Sequence, residues 1–294
     1  MKKILTFFVL SILCSGSVFS QVEDRFAALN ETNVKLYAQP FATAFGTAMN
    51  SAGYHSASVA DLFGFSISFQ GMYILIPDDQ LTYSPSLPSG YTTGPSATIF
   101  GDKGSAYAGP AGYITTPPGV NVSAMPMALP QISLSFIGTE VMFRYLPEIE
   151  LGNKGEKLSL FGIGAKHSVS RYIPLIPIDV AVQVLYNKLE ITNLVESKNL
   201  AFNAHASKTF GILSPYFGLQ FESSSLDLTY EINGDPLSGD PALQVDKKVS
   251  VSLDGDNSFR ATLGACLKLA VIVLNADVSL GSQTTFSGGL SFEF

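Results

Sequence analysis

The sequence predicts an all-β protein: an antiparallel transmembrane β-barrel of about ten strands (range about 8–14), with a short N-terminal helix and a long Pro/Gly-rich connection as a candidate lumen plug. Three observations carry this expectation. Charged residues make up 14% of the chain while apolar ones make up 46%, against roughly 25% charged in an ordinary soluble domain. Beyond the N-terminus no run of about 18 uncharged apolar residues occurs, which excludes helical membrane spans. Apolar side chains instead alternate with small polar ones in runs of about ten residues, and a chain that must satisfy its backbone in lipid without helices closes its strands into a barrel.

The N-terminus has the order of a secretory signal: Lys2 and Lys3, an apolar stretch from Ile4 to Leu13, then small residues to Ser20, with cleavage expected after Ser20. Lipidation at Cys14 is disfavoured because Leu13 before it is too large. The expected division is 1–20 signal peptide, 21–60 N-terminal segment with a plug-like helix, and 61–294 barrel, with 77–130 as its long connection. Cleavage leaves Cys266 alone, so no intramolecular disulfide can form. It also removes two of the 17 basic residues against 24 acidic ones, making the balance more acidic than −7 and excluding nucleic acid as a partner.

Residues 34–55 are rich in small side chains and fit a helix in spite of Pro40 and Gly46. Ala38, Ala42, Phe45 and Met49 share one face at three- and four-residue spacing. A helix ahead of the first strand can enter the lumen or rest on its periplasmic mouth, which makes Phe41, Phe45, Met49 and His55 candidate plug residues. A loose periplasmic arm is the plainer alternative.

Strands are expected at 62–76, 131–146, 157–170, 177–191, 198–209, 214–233, 246–268, 271–281 and 284–294. Phe63, Phe65, Ile67 and Phe69 alternate with Gly64, Ser66, Ser68 and Gln70; Val180, Val182, Val184 and Tyr186 alternate with Ala181, Gln183 and Asn187. Leu226, Leu228, Tyr230 and Ile232 alternate with Asp227, Thr229 and Glu231, and Phe259, Ala261, Leu263, Ala265 and Leu267 with Arg260, Thr262 and Lys268. A soluble sandwich also alternates, but small polar partners suit a wet lumen, with the apolar set facing lipid. Links at 171–176, 210–213 and 269–270 read as short and periplasmic, those at 147–156, 192–197 and 234–245 as longer and extracellular. Single-chain bacterial barrels have an even strand number, so a tenth strand is expected between 77 and 130, near Ser105 to Thr115. The competing solution makes Asp254-Gly255-Asp256-Asn257 a hairpin tip that splits 246–268.

The stretch from Pro77 to Pro130 holds nine of the sixteen prolines and only four charged residues, which argues against regular sheet and against a fully solvated tail. It is expected to fold over or into the barrel on Tyr83, Tyr91, Ile99, Phe100, Tyr107 and Tyr113. With no tryptophan present, Tyr73, Tyr145, Tyr172, Tyr186, Tyr216 and Tyr230 are candidates for an interfacial girdle.

Chemistry is sparse. His205 lies beside Ser207 and Asn203 at one strand parity, but all three are expected to face the lumen and Ser207 lacks a nucleophile context. Asn203 and His205 therefore count as lumen candidates, and no enzymatic activity, catalytic residue, metal site or cofactor is expected. Asp254, Asp256 and Asn257 lack the full calcium-loop spacing and read as a solvated extracellular tip.

The last residues, FSGGLSFEF, place Phe286, Gly288, Leu290, Phe292 and Phe294 at every second position. A free C-terminal aromatic on an amphipathic strand resembles the closing strand that the outer-membrane barrel-assembly machinery reads, with Phe292 and Phe294 as its signal. The phrases FATAFGTAMNSAGYHSA (41–57), ATIFGDKG (97–104), GTEVMFRYLPEIEL (138–151), GIGAKHSVSRYIPLIPIDVAVQ (162–183) and SPYFGLQFESSSLDLTYE (214–231) resemble an uncharacterised family of outer-membrane barrels from Bacteroidota and related bacteria, distantly like the long-chain fatty acid transporter family. The resemblance implies the outer membrane of a Gram-negative cell, contact with outer-membrane lipid, a lumenal plug, and a narrow or occluded channel, transporter or binder for a small hydrophobic ligand. The alternative is a structural or assembly protein that docks a secretion or surface-polysaccharide partner through its external loops.

Overall fold

The structure, a computed structural model, describes residues 25–26, 29–151, 156–173, 176–232 and 247–294. Helix α1 (Glu31–Met49) precedes strands β1 (Phe63–Leu75), β2 (Thr82–Tyr83), β3 (Ser96–Ala97), β4 (Ala106–Gly109), β5 (Gly112–Thr115), β6 (Ala124–Phe136), β7 (Thr139–Leu151), β8 (Glu156–Ser168), β9 (Asp179–Ile191), β10 (Val195–Ser207), β11 (Leu213–Ile232), β12 (Lys247–Asp254), β13 (Phe259–Leu269), β14 (Ile272–Leu280) and β15 (Thr285–Glu293). Antiparallel pairing runs β1-β6-β7-β8-β9-β10-β11-β13-β14-β15 and returns to β1, so the sheet closes as a ten-stranded barrel. At the seam Ser66 faces Glu293 and Ile74 faces Thr285. Phe294 extends it, its N–H donating to the Phe65 carbonyl at 2.9 Å and its carbonyl accepting from Phe65 at 3.0 Å. No described helix is long and apolar enough to cross a membrane.

The tenth strand is not where the sequence placed it. Residues 106–115 form a two-stranded hairpin, β4 with β5, outside the barrel. The expected strand 131–146 is in fact two strands, β6 and β7, folded at Ile137-Gly138. Both turn residues have positive φ, 49° and 71°, the backbone of the tight turns whose twist suits a hairpin. A β-branched residue rarely adopts that conformation, so nothing at Ile137 signals a turn. The prolines misled in the same way. β6 bonds β1 through its odd-numbered residues, as the Ile137-to-Leu62 and Ile76-to-Ser123 bonds fix. Pro126 and Pro130 therefore turn their nitrogens toward β7, whose pairing begins only at Gln131. A proline without a ladder hydrogen bond to lose is compatible with a strand.

Asp254-Gly255-Asp256-Asn257 is not a hairpin tip either. β12 and β13 lie end to end along β11, β12 against Ser225–Ile232 and β13 against Leu213–Phe221. The break interrupts one strand position without adding another.

At the rim that carries Phe294, the links are 137–138, 169–178, 208–212 and 270–271; at the opposite, loop rim they are 76–123, 152–155, 192–194, 233–246 and 281–284. The long connections collect at the loop rim, as expected. Two lengths differ: β9 and β10 are joined by only three residues, and 169–178 is longer than anticipated. The expected links at 147–156 and 234–245 lie partly or wholly outside the described residues.

Along most of each strand the apolar side chains point outward. Phe63, Ile67, Val184, Phe202, Phe217, Leu219, Leu263, Phe286 and Phe292 are exposed, while Ser68, Gln70, Gln183, Asn203, Gln220, Thr262 and Ser291 are buried inside. Ten residue-to-residue rises, from Phe63 to Tyr73, at about 3.4 Å each and a tilt near 40°, give this belt a height of roughly 25 Å. Toward the loop rim the sign reverses on β8 to β12. Leu158, Leu160, Leu189, Ile191, Val195, Leu226, Leu228, Tyr230, Val251 and Leu253 are buried inside. The alternate positions Lys188, Glu190, Glu196, Lys198 and Asp227 point outward, with Lys188 paired to Glu190 (3.1 Å) and Glu196 (2.8 Å). The apolar set of 226–230 thus faces inward, contrary to the sequence reading of 214–233 as lipid-facing throughout. The girdle divides likewise: Tyr73, Tyr145 and Tyr172 are exposed and Tyr186 half-buried, whereas Tyr216 and Tyr230 are buried.

Because Ile137 holds a left-handed backbone that costs a β-branched residue roughly 1–2 kcal/mol, Ile137→Asn is expected to stabilise the barrel by about 0.5–1 kcal/mol. A raised urea midpoint with unchanged slope is the readout; a lowered midpoint would show that the half-exposed Ile137 side chain matters more than its backbone.

Candidate functional site

The candidate site is the lumen, and the chain itself fills it. α1 starts at Asn30, whose side chain accepts the Asn33 N–H at 2.9 Å. Pro40 sits inside the helix without ending it. The sequence assigned the helix one apolar face; its first turns do leave Glu31, Thr32, Lys35 and Leu36 exposed, but from Ala42 to Met49 it is buried all round, and Val34, Tyr37, Ala38, Ala42, Phe45, Ala48 and Met49 pack against Met72, Ile74, Met127, Leu160, Leu189, Leu226, Leu228, Val251 and Leu253. Reversed side-chain polarity at the loop rim is what makes this seat apolar. Gly46 permits the fit, because a methyl group there would overlap Ser224.

The seat is covered by 76–123. The Ile99 N–H donates to the Tyr37 carbonyl at 3.0 Å, and the Tyr37 hydroxyl donates to the Pro118 carbonyl at 2.9 Å. Tyr83, Ile99, Phe100 and Tyr107 are buried as expected, Tyr91 is half-buried, and Tyr113 is 77% exposed at the β4–β5 hairpin instead of anchoring the segment.

Where α1 ends, its last carbonyls have no helical partner, and the barrel wall supplies donors. Arg144, fully buried on β7, donates to the Met49 carbonyl at 2.7 Å, the Ser51 carbonyl at 2.8 Å and Gln131 Oε1 at 2.9 Å. Asn187 donates to Met49 at 2.8 Å, Gln220 to Asn50 at 3.0 Å and Gln183 to Gly53 at 2.9 Å. Arg260 donates to the Thr47 carbonyl at 3.0 Å, to Glu222 at 2.8 Å and to the Ser51 hydroxyl. The last turn of α1 has no basic residue; Arg144 and Arg260 supply positive charge to its negative end from the wall.

Below this ring, residues 50–62 run toward the C-terminal rim beside a cavity of about 340 Å³. Its lining is mixed, with Phe65, Met142 and Val273 among Ser66, Ser68, Ser133, Ser135, Gln131 and Ser214, and it holds the pairs Lys166–Glu140 (3.0 Å), His55–Glu293 (2.7 Å) and Lys268–Glu293 (2.9 Å).

Of the residues singled out from sequence, Phe45 and Met49 are buried in the apolar seat, and the Phe41 ring lies tilted against Phe45 at 4.5 Å and Phe100 at 6.1 Å. His55 lies in the polar cavity. His205 and Asn203 are buried together on the inner wall, His205 Nδ1 2.8 Å from Asn203 Oδ1, with the imidazole stacked at 4.0 Å on Tyr54. Ser207 does not engage His205; its hydroxyl accepts the Ala57 N–H at 2.9 Å. Phe292 and Phe294 point outward, 42% and 69% exposed. Asp256 is no detached tip, since it accepts from Gln39 at 3.0 Å and Thr43 at 3.3 Å.

The sequence reading missed the donor ring. Arg144 carries a signal, a cation among apolar residues at the inward parity of Met142 and Leu146, but an expected strand of 131–146 runs straight across the β6–β7 turn and hides it. Arg260 was noted only as an alternation partner. On the outer wall, His167 bridges Thr139 Oγ1 (2.8 Å) and the Tyr172 hydroxyl (3.0 Å), which alternation alone could not show.

These features define a closed ten-stranded β-barrel occluded by its own N-terminal segment. The chain belongs to the family of unknown function DUF6588, whose model matches residues 1–294. No curated protein matches it. Among solved structures it is similar to the Ralstonia pickettii toluene transporter TbuX, at 8% identity over 84% of this chain and 93% of that one, TM-score 0.26. It is also similar to the translocator domain of the autotransporter NalP from Neisseria meningitidis (11%, 90% and 96%, TM-score 0.23) and to a mutant Rh. blastica porin (9%, 79% and 99%, TM-score 0.18). Overlays this loose transfer no role.

Arg144→Met leaves the Met49 and Ser51 carbonyls short of donors and is expected to loosen residues 47–56 by about 2 kcal/mol, roughly a thirtyfold rise in amide exchange there. Exchange that rises equally in β14 and β15 would instead make Arg144 a support of the whole barrel.

Proposed function

We propose that this protein is an integral outer-membrane barrel that keeps its lumen shut with its own N-terminal segment and passes or binds a small solute when that segment shifts. The outward apolar belt of roughly 25 Å suits a bilayer. Phe292 and Phe294 at the seam suit recognition by the barrel-assembly machinery. No catalytic step is assigned.

One observation carries the reading. Arg144, Asn187, Gln183, Gln220, Arg260 and Lys166 donate from the wall to main-chain carbonyls between Thr47 and Ser56. Polar, side-chain-to-backbone contacts of this kind exchange with water more readily than an apolar core does, so the lower segment is the movable part of the obstruction. The cavity suits a small polar solute. A small hydrophobic ligand, implied by the distant likeness to long-chain fatty acid transporters, would need the space that Val34, Ala38, Phe45 and Met49 occupy. Docking of a secretion or surface-polysaccharide partner is the second reading, favoured by the folded 76–123 segment and its exposed Tyr113.

Reconstituted in planar bilayers, the native protein is expected to be electrically quiet, and Arg144→Met/Arg260→Met to show open events, with liposome swelling in small sugars rising about tenfold or more. Heat-modified gel mobility verifies that the variant is folded. A folded double variant as impermeable as the native protein counts against a gate.

A further inference from the structure

Successive contacts of residues 26–62 fall at successive heights in the barrel. Phe26 packs against Tyr230 and Tyr37 at ring distances of 5.9 and 6.0 Å, level with the loop-rim end of β11. Asn33 exchanges hydrogen bonds with Ser86 of the loop-rim segment at 3.0 and 2.7 Å. The Pro40 carbonyl accepts from Gln283, in the 281–284 link of the same rim. Below lie Thr47 at Arg260, Met49 at Arg144 and Gly53 at Gln183. Farther down, Ala57 meets Ser207, the last residue of β10, and the Ala60 carbonyl accepts from Gly138 in the β6–β7 turn. α1 alone covers about 28 Å of this path at 1.5 Å per residue.

The described segment therefore makes one pass through the lumen, from the loop rim to the C-terminal rim, with no returning strand or helix among the described residues. A plug pushed in from the C-terminal rim would need a second pass to bring its start back out. Here Phe26, 5% exposed between two tyrosines, holds the start of the segment at the loop rim.

We propose that the protein is threaded outward-first: Arg25 and Phe26, at the loop rim, face the cell exterior, and the chain runs from there through the lumen to the periplasmic side, where Phe294 lies. The barrel then holds the start of its described chain at the cell surface as well as closing its own passage. During assembly residues 25–62 must lie inside before the β1–β15 seam closes, because a folded 76–123 segment covers the exit. This inference rests on the outer-membrane reading above for which rim faces out, but its single-pass threading does not.

The test places a short epitope directly ahead of Arg25 in the full-length protein. Two further versions carry it in the 233–246 link, marking the loop rim, and in the 169–178 link, marking the C-terminal rim. Antibody is applied to intact and to permeabilised cells. The expected result is that the N-terminal and 233–246 epitopes label intact cells to the same extent, and the 169–178 epitope only permeabilised ones. Surface labelling at 233–246 with N-terminal labelling only after permeabilisation overturns the threading. Surface labelling at 169–178 alone overturns the outward-first direction by reversing the barrel, and with it the orientation assumed above. Glu23→Cys in a Cys266→Ala background, probed with a membrane-impermeant maleimide, repeats the measurement without an insertion; protection in intact cells likewise overturns the proposal.

Discussion

The structure depends on the carbonyl groups set free where α1 ends inside the barrel. A helix leaves its last carbonyls unpaired, and in a closed lumen each would cost roughly 1–3 kcal/mol if left so. Guanidinium and amide groups of Arg144, Asn187, Gln220 and Arg260 meet them from the wall. The dependence is mutual. Arg144 is fully buried, and an isolated buried cation is expensive; the negative end of α1 and three hydrogen bonds offset that cost. Neither wall nor segment has a satisfied interior without the other.

A second constraint follows from the switch of side-chain polarity along β8 to β12. A barrel in lipid needs apolar residues outside and can keep water inside, while a barrel in water needs the opposite. Both arrangements occur on the same strands, at different heights. In β11, Phe217, Leu219 and Phe221 point out, and nine residues on Leu226, Leu228 and Tyr230 point in. The belt and the loop-rim section thereby separate two jobs: the loop-rim section packs α1 and the belt section holds the donor ring and the cavity. An apolar helix seat and a cavity lined in part by polar groups coexist in one lumen for this reason.

Much of the barrel was legible in the sequence because period-two alternation is a local property: β1, β9, β13 and β15 appear in it directly. The even strand number was also recoverable, since a barrel that closes with antiparallel neighbours throughout requires it. Failures occurred where tertiary context overrides a local rule. Ile137 turns the chain with a backbone its side chain disfavours, and Pro126 and Pro130 sit in β6 because their nitrogens face a stretch without a partner strand. Tyr216 and Tyr230 have the composition of a girdle but the inward parity. In the site, the helix and its buried Phe45 and Met49 could be anticipated from spacing. The donor ring could not, because which wall residues stand level with residue 49 depends on the stagger of the closed sheet.

The account stands or falls on residues 50–56 lying against the inner wall in the membrane. The most direct measurement is a thiol crosslink between Gly53→Cys and Gln183→Cys in a Cys266→Ala background, made in native membranes. A side chain at residue 53 would lie 3.2 Å from the Gln183 amide oxygen, so the pair is expected to crosslink within one chain in the folded protein and not after denaturation. Folded protein that gives no intramolecular crosslink, while the same cysteines react freely with bulky water-soluble reagents, would contradict it.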